Sequence, residues 1–295
     1  SWSNVLETGA CVSPLEFFES AKKMNLRNSV FVDVTSNASI AETYTYYLKE
    51  RIAVIACNKI ACSGTLDYYQ ELKQLSIKYN APFLFETNVG AGLPVIDTLN
   101  NLVASGDQIQ EIHAVLSGSL NFILNNYKGD DKFANIVKQA QLEGYTEPDP
   151  RIDLSGVDVA RKLLILARES GVSIDMEDIE NTSFLPNGAI EADSVKEFYT
   201  FIESQESIFK AIYEDAKNNN AQLKYVAEFK DGVAKVGLQF IKEGHPFFNL
   251  EGKDNIVMFY TNRYKEQPLI VKGAGAGAEV TASGLFGDII RASTI

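Results

Sequence analysis

At 295 residues the chain exceeds one typical domain, and its 45% hydrophobic and 22% charged residues suit packed cores rather than a disordered chain. A formal net charge of −12, with no long basic run, repels phosphate backbones and anionic lipid surfaces and so excludes nucleic acid and membrane as partners. No apolar stretch reaches the roughly 20 residues needed to cross a bilayer, and no secretory signal opens the chain, so the sequence reads as cytoplasmic.

In chain order, residues 30–34 (VFVDV) form a short β-branched run closed by Thr35, Ser36 and Asn37, before a helical stretch over 38–50. Residues 52–57 give the next strand, and two such runs joined by a helix predict a right-handed βαβ unit with parallel strands. A helix over 65–79 and a strand over 82–85 extend the pattern to half of a doubly wound sheet. Cys11, Cys57 and Cys62 are odd in number, and Cys57 sits in an apolar run, which predicts reduced thiols. No paired His or Cys ligands at zinc spacing accompany them; His113, on an apolar strand, reads as a satisfied core residue, and His245 lies far from it in sequence. Scarce histidine leaves lysine and carboxylates as the proton carriers.

Beyond Glu86 the pattern changes. A Gly-rich bend from Val89 to Pro94 leads into a helix, then a strand over 111–116 ending in Ser117-Gly118-Ser119. Helices are predicted over 133–142, 154–168 and 194–218, with Ser155 capping the second. Strands over 223–229 and 233–241 flank Asp231-Gly232, a pair that readily takes positive φ and signals a hairpin. Further strands fit 256–260 and 269–271, and a helix fits 278–292. The expected fold is therefore α/β: a partial doubly wound, Rossmann-like parallel sheet (residues 1–86 and 273–295) plus an α+β domain (87–272) with a largely antiparallel sheet, to which the resemblance given below assigns substrate binding and dimerisation.

The segment 144–162, GYTEPDPRIDLSGVDVARK, is the richest in chemistry. Two prolines stiffen a loop that carries Glu147 and Asp149. In the apolar helix that follows, Asp158 and Lys162 stand one turn apart. On a surface such a pair contributes only a few tenths of a kcal/mol. Turned inward, both charges would incur a desolvation cost that calls for a polar ligand.

The same segment closely resembles the substrate loop and helix of homoserine dehydrogenases, and is joined in the family's order by CNKIA (57–61), ETNVGAGLPVI (86–96), LSGSLNFIL (116–124) and GAGAGAEVTASGLFGDII (273–290). In style the match is nearest to the dehydrogenase portion of bifunctional aspartokinase/homoserine dehydrogenases. The resemblance implies an NADP- or NAD-dependent oxidoreductase reducing L-aspartate 4-semialdehyde to L-homoserine in threonine and methionine biosynthesis. It assigns Lys162 and Lys59 as catalytic, and Glu147, Asp153, Asp158, Gly118 and Ser119, with Tyr145 and Thr146, as substrate-binding. Thr35, Ser36, Lys59 and Gly277 become cofactor contacts, and Glu86, Val89, Ala91 and Leu93 the ligands of a monovalent cation such as Na+. Ile152 departs from the family's frequent Asp, so no acid is assigned there. A homodimer or higher homo-oligomer and an upstream fused aspartokinase are implied as partners.

The run from Gly273 to Gly277 has the wrong spacing for a dinucleotide fingerprint and no βαβ unit follows it. No strand, Gly-x-Gly-x-x-Gly turn and helix precede residue 30 either, so the chain is expected to be a piece of a longer enzyme that binds dinucleotide weakly. Two other functions compete: a non-catalytic substrate and dimerisation module, and a reductase of another small aldehyde. The acidic cluster favours an amino acid substrate over the latter.

Overall fold

The computed structural model describes residues 7–9 and 11–294; the expected start of the first domain, residues 1–6 and 10, lies outside them. The chain divides into two compact units, with breaks after Phe85 and after Leu285.

The first unit holds a three-stranded parallel sheet, β1 (Val30–Asp33), β2 (Ala53–Ala56) and β3 (Phe83–Leu84), in that order. All of β2 is buried, and Val54, Ile55, Leu48 and Leu72 are fully enclosed. Each such side chain contributes roughly 1.5–3 kcal/mol on leaving water. The expected helix over 38–50 is two, Ala38–Ala41 and Tyr44–Lys49. Between them the Thr43 hydroxyl donates to the Ile40 carbonyl at 2.7 Å, a local bond that competes with the helical ladder.

The second unit is a six-stranded sheet of order β5-β7-β6-β4-β8-β9, antiparallel except where β5 runs parallel to β7. Its strands are β4 (Ile109–Val115), β5 (Ile179–Thr182), β6 (Ala221–Lys230), β7 (Val233–Lys242), β8 (Asp254–Thr261) and β9 (Leu269–Ala274). The β6–β7 turn forms as expected, with Asp231 at φ 51° and Gly232 at φ 78°. Strand β5 carries no sequence signal, because only Ile179 of its four residues is buried. Helices Gly118–Asn126, Val157–Glu169 and Glu206–Asn218 pack on β6. Val115, Val226, Ile256 and Met258 form an apolar cluster with Phe247 and Leu250 of the segment after β7.

Two boundaries differ from expectation. Residues 273–285 belong to the second unit because β9 ends a ladder with β8 and Gly275 lies directly on Asn255. The stretch 194–218 breaks at Gln205 into helices Val195–Ser204 and Glu206–Asn218. His113 is satisfied as expected but only half-buried: its ring Nε2 lies 2.8 Å from Glu111 and Nδ1 3.6 Å from Glu228, within a charged strip that includes Lys230 and Lys235. Among the described residues no helix is long and apolar enough to cross a membrane.

Candidate active site

The helix bearing Asp158 and Lys162 starts where it does because of one glycine. Gly156 adopts φ 73°, and a Cβ there would lie 2.0 Å from the Tyr225 hydroxyl, so the helix expected over 154–168 runs Val157–Glu169, and Leu154 instead ends a separate short helix, Arg151–Leu154. Ser155 is therefore not a helix-start cap of the expected kind, although its hydroxyl still accepts from the Val157 N–H at 3.3 Å. Tyr225 donates to Asn181 Oδ1 at 2.8 Å, and Asn181 in turn donates to the Ser155 carbonyl at 2.9 Å. The start of the helix is thus pinned to β6 and β5, and the direction of its first two turns follows.

One and a half turns on, the Lys162 ammonium lies 2.8 Å from Asp158 Oδ2 and donates to the Leu116 carbonyl at 2.8 Å. Lys162 is largely enclosed, its side chain 13% exposed against 37% for Asp158. Beside it, Ser117 accepts from the Leu120 N–H and so caps helix Gly118–Asn126. Ser119 donates to Asp153 Oδ1 at 2.8 Å, and the Glu147 N–H to Asp153 Oδ2 at 2.8 Å. Burial pushes the Asp153 carboxyl above its ordinary value, and the negative charges of Glu147 and Asp158 add to the rise, against the lowering by these two hydrogen bonds.

Gly118, Ser119, Tyr145, Asp153, Asp158, Lys162 and Gly277 all line one cleft of about 370 Å³. Tyr145 is held by stacking on Phe122, ring centroids 4.3 Å apart. Glu147 and Thr146 stand outside the lining; Glu147 is exposed and reaches the cleft through its backbone bond to Asp153. Lys253 and Asn255 escaped the sequence reading. Lys253 lines the cleft, and its Cβ would lie 3.2 Å from a Cβ added at Gly118. Asn255, 1% exposed, donates to the same Leu116 carbonyl at 3.4 Å. Both lie far in sequence from Gly118, Ser119, Asp158 and Lys162, and the β4–β8 pairing brings the two regions together.

The Gly-rich run is also explained in part by packing. A Cβ on Gly275 would lie 2.0 Å from Asn255 Cγ, whereas Gly277, at φ 125°, has open space where a Cβ would go. Gly277 precedes helix Ala278–Thr294, so the helix's first N–H groups begin at the rim of the cleft.

In the first unit, Thr35, Ser36 and Lys59 follow the carboxyl ends of adjacent parallel strands, the position at which open α/β sheets bind ligands. A buried network shapes both turns. Asp33 accepts from the Tyr44 hydroxyl at 2.6 Å, from Asn58 at 3.1 Å and from the Thr35 N–H at 2.8 Å. Burial, and then the Asp33 charge, push the Tyr44 hydroxyl well above the ordinary tyrosine range, so it stays a donor.

Glu86 takes the place of a helix cap: its two carboxylate oxygens accept from the Ile96 and Asp97 N–H groups, each at 2.8 Å. The Leu93 carbonyl accepts from the Val95 N–H at 2.8 Å. Val89 and Ala91 are buried in the same turn, and Ala91 takes φ 53°. Among the described residues no group of three or more His, Cys, Asp and Glu side chains gathers as a metal site.

The homoserine dehydrogenase profile matches residues 94–290, and that of the homoserine dehydrogenase NAD binding domain matches residues 2–86. Homoserine dehydrogenase of Schizosaccharomyces pombe is 40% identical over 271 residues, covering 89% of this chain and 72% of that protein. Bifunctional aspartokinase/homoserine dehydrogenase 2, chloroplastic, of Arabidopsis thaliana is 43% identical over 295 residues, 98% of this chain and 32% of that protein, so the chain spans about a third of that relative's length. Among solved structures, a Candida auris protein of unknown function gives a TM-score of 0.91 at 36% identity, over 99% of this chain and 84% of that one. A hyperthermophilic archaeal homoserine dehydrogenase in complex with NADPH gives 0.73 at 30% identity, over 97% and 76%.

Proposed function

The chain belongs to the homoserine dehydrogenase family, and from that premise we propose that it catalyses the reversible, NAD(P)H-dependent reduction of L-aspartate 4-semialdehyde to L-homoserine. The observation that carries the reading is the convergence of one enclosed ammonium, Lys162, with two carboxylates, Asp153 and Asp158, in a cleft of about 370 Å³. An amino acid aldehyde needs both kinds of charge. Its α-ammonium matches Asp153, whose charge is disfavoured by burial, and its aldehyde oxygen, which gains negative charge on reduction, matches a lysine that can stabilise and then protonate it.

A nicotinamide dinucleotide, when bound, supplies the hydride. Support for a dinucleotide comes from the parallel sheet with Thr35 and Ser36 at its carboxyl edge, and from the open space at Gly277 before a helix N-terminus. In this reading Lys162 delivers the proton to the substrate oxygen, while Asp158 orients the lysine. Asp153 receives the α-ammonium, fixed in place by Ser119, and Glu147 adds negative potential from outside. Tyr145 and Thr146 border the amino acid, and Lys59 is a second catalytic amine and cofactor contact. Orienting the substrate in this way fixes which face of the aldehyde receives hydride.

The proposal extends to a monovalent cation held by Glu86 with the carbonyls of Val89, Ala91 and Leu93. A carboxylate offers hard oxygen ligands with about four lone-pair sites, the donor type a monovalent cation takes. It extends also to a homodimer or larger oligomer, a cytoplasmic setting and a fused aspartokinase, the last supported by the names of the bifunctional relatives.

The test is turnover in both directions, NADPH with L-aspartate 4-semialdehyde and NADP+ with L-homoserine, alongside Lys162→Ala. The expected loss in kcat is about 10²-fold to 10⁴-fold, the usual worth of a general acid. Near wild-type kcat in the variant removes Lys162 from the chemistry. Saturable homoserine binding without any turnover in the parent favours the non-catalytic module instead.

A further inference from the structure

Lys224, in the middle of β6, is 1% exposed, and lysine is almost never fully buried without partners. Its ammonium donates to Asn121 Oδ1 at 3.0 Å, to Asn125 Oδ1 at 2.6 Å and to the Leu250 carbonyl at 2.5 Å. All three acceptors are uncharged. Asn121 and Asn125 stand one turn apart on helix Gly118–Asn126, and both pass an amide N–H to the same loop: Asn121 to the Gly252 carbonyl at 2.9 Å, and Asn125 to the Leu250 carbonyl at 3.0 Å. Three hydrogen bonds from one buried cation, with two direct amide bonds beside them, thus tie the helix to residues 250–252.

Both tied segments run directly into the cleft. The helix opens with Gly118 and Ser119, and the loop continues as Lys253; these three residues line the cleft, with Lys253 against Gly118 closely enough that an added Cβ would meet its Cβ and carbonyl oxygen at 3.2 Å. Nothing in the chemistry above uses Lys224, and a core position built for stability alone would favour an apolar residue.

We propose that Lys224 is a positioning residue, its buried ammonium setting the Gly118–Ser119 turn and Lys253 at the spacing that the substrate requires. This rests on the reading of the cleft as the substrate site. Only the charged form has three N–H groups; the neutral amine has two, and would turn a lone pair toward one of three acceptors. Burial pushes the amine down to about 8; of the charged groups acting on it, Lys128 after the helix and Lys272 on β9 lower it further, while Glu251 on the loop raises it. The clamp therefore loosens as pH rises through that region.

The test has one arm without substrate and one with it. Hydrogen–deuterium exchange is measured in steps from pH 7 to about pH 10 on the wild-type chain, on Lys224→Arg, which stays charged, and on the exposed pair Lys128→Ala/Lys272→Ala, which leaves every clamp bond in place. Protection in residues 250–253 is expected to fall at least threefold at pH 9 in the wild type, not in Lys224→Arg, and at a higher pH in the double variant, with that upward shift fading at high salt. Equal protection in all three, or a loss that ignores the double variant, overturns the clamp. In the second arm, kcat/KM for L-homoserine should show an alkaline limb near pH 8 that moves upward in the double variant and vanishes in Lys224→Arg, with KM rather than kcat carrying the change. An alkaline limb common to all variants overturns the positioning role. Absence of turnover in the wild type refutes the functional reading, while the exchange arm still decides the clamp.

Discussion

Asp153 and Asp158 sit in the same cleft with opposed electrostatic situations. Asp158 is neutralised by Lys162 at 2.8 Å, whereas Asp153 has only hydrogen bonds and negative neighbours. Because the folded-state value of Asp153 is raised above 3.8, its contribution to stability is fully present below the unfolded value and is lost as pH rises through the folded one. At neutral pH the ionised group is a cost that a bound α-ammonium relieves. Asp153→Asn should therefore melt at or above the wild-type temperature at pH 7, with the difference shrinking as pH falls to the carboxylate range. The same variant should raise KM for homoserine tenfold or more. A lower melting temperature at pH 7 that persists at acid pH would show that Asp153 is ordinary structural polarity. Asp158→Ala removes the nearest counter-charge of an enclosed lysine and is expected to worsen KM and lower the melting temperature together; calorimetry and kinetics that both stay unchanged contradict a functional pair. The Asp158–Lys162 pair was visible from spacing alone. The partner of Lys162 on the Leu116 carbonyl was not, because 46 residues separate them and β4 brings them together.

At the scale of elements, the decisive feature is a glycine whose role periodicity cannot show. Gly156→Ala would place a methyl group on the Tyr225 hydroxyl and force a left-handed conformation on an L-residue. The expected destabilisation is about 1–2 kcal/mol for the backbone and a further 1–3 kcal/mol for overpacking. Urea unfolding of Gly156→Ala and of Gly156→Ala/Tyr225→Phe tests this: the double variant recovers only part of the loss, since the ring carbon Cζ, 2.6 Å from the added Cβ, stays in place beside the backbone strain. Full recovery would mean the backbone conformation is free, and no loss at all would mean the helix start tolerates a side chain. Helices with a single apolar face and capping signals, such as Leu66–Tyr79 with Thr65 accepting from Tyr68, follow from sequence. Breaks at Thr43 and Gln205, and strand β5, do not, since local bonding and a parallel partner decide them.

At the scale of the whole molecule, two units with separate cores predict separable ligand footprints. L-Homoserine should protect residues 116–119 and 153–162 from hydrogen exchange. NADPH should protect the turns at Thr35–Ser36 and Asn58–Lys59. A ligand at a hundredfold excess over Kd adds about 2.7 kcal/mol of stability, enough to see as a shift in melting temperature. Homoserine protecting the first unit alone, or NADPH protecting neither turn, contradicts the assignment of roles.

The sequence by itself determined which chemistry is available and most of the scaffold: the βαβ pattern, the Asp231-Gly232 hairpin, the stiff acidic loop and the acid–lysine helix are all local. Each is set by side-chain periodicity, turn conformation or one-turn spacing, and these act over a few residues. Tertiary structure alone decided what closes the cleft. Lys253 and Asn255 reach it through β8, Tyr225 fixes the start of the helix bearing Asp158 and Lys162 from β6, and Lys224 joins a helix to a loop more than a hundred residues away. A buried charge or a missing Cβ has meaning only against the atoms packed beside it, and those atoms come from strands that find one another after the local elements have formed.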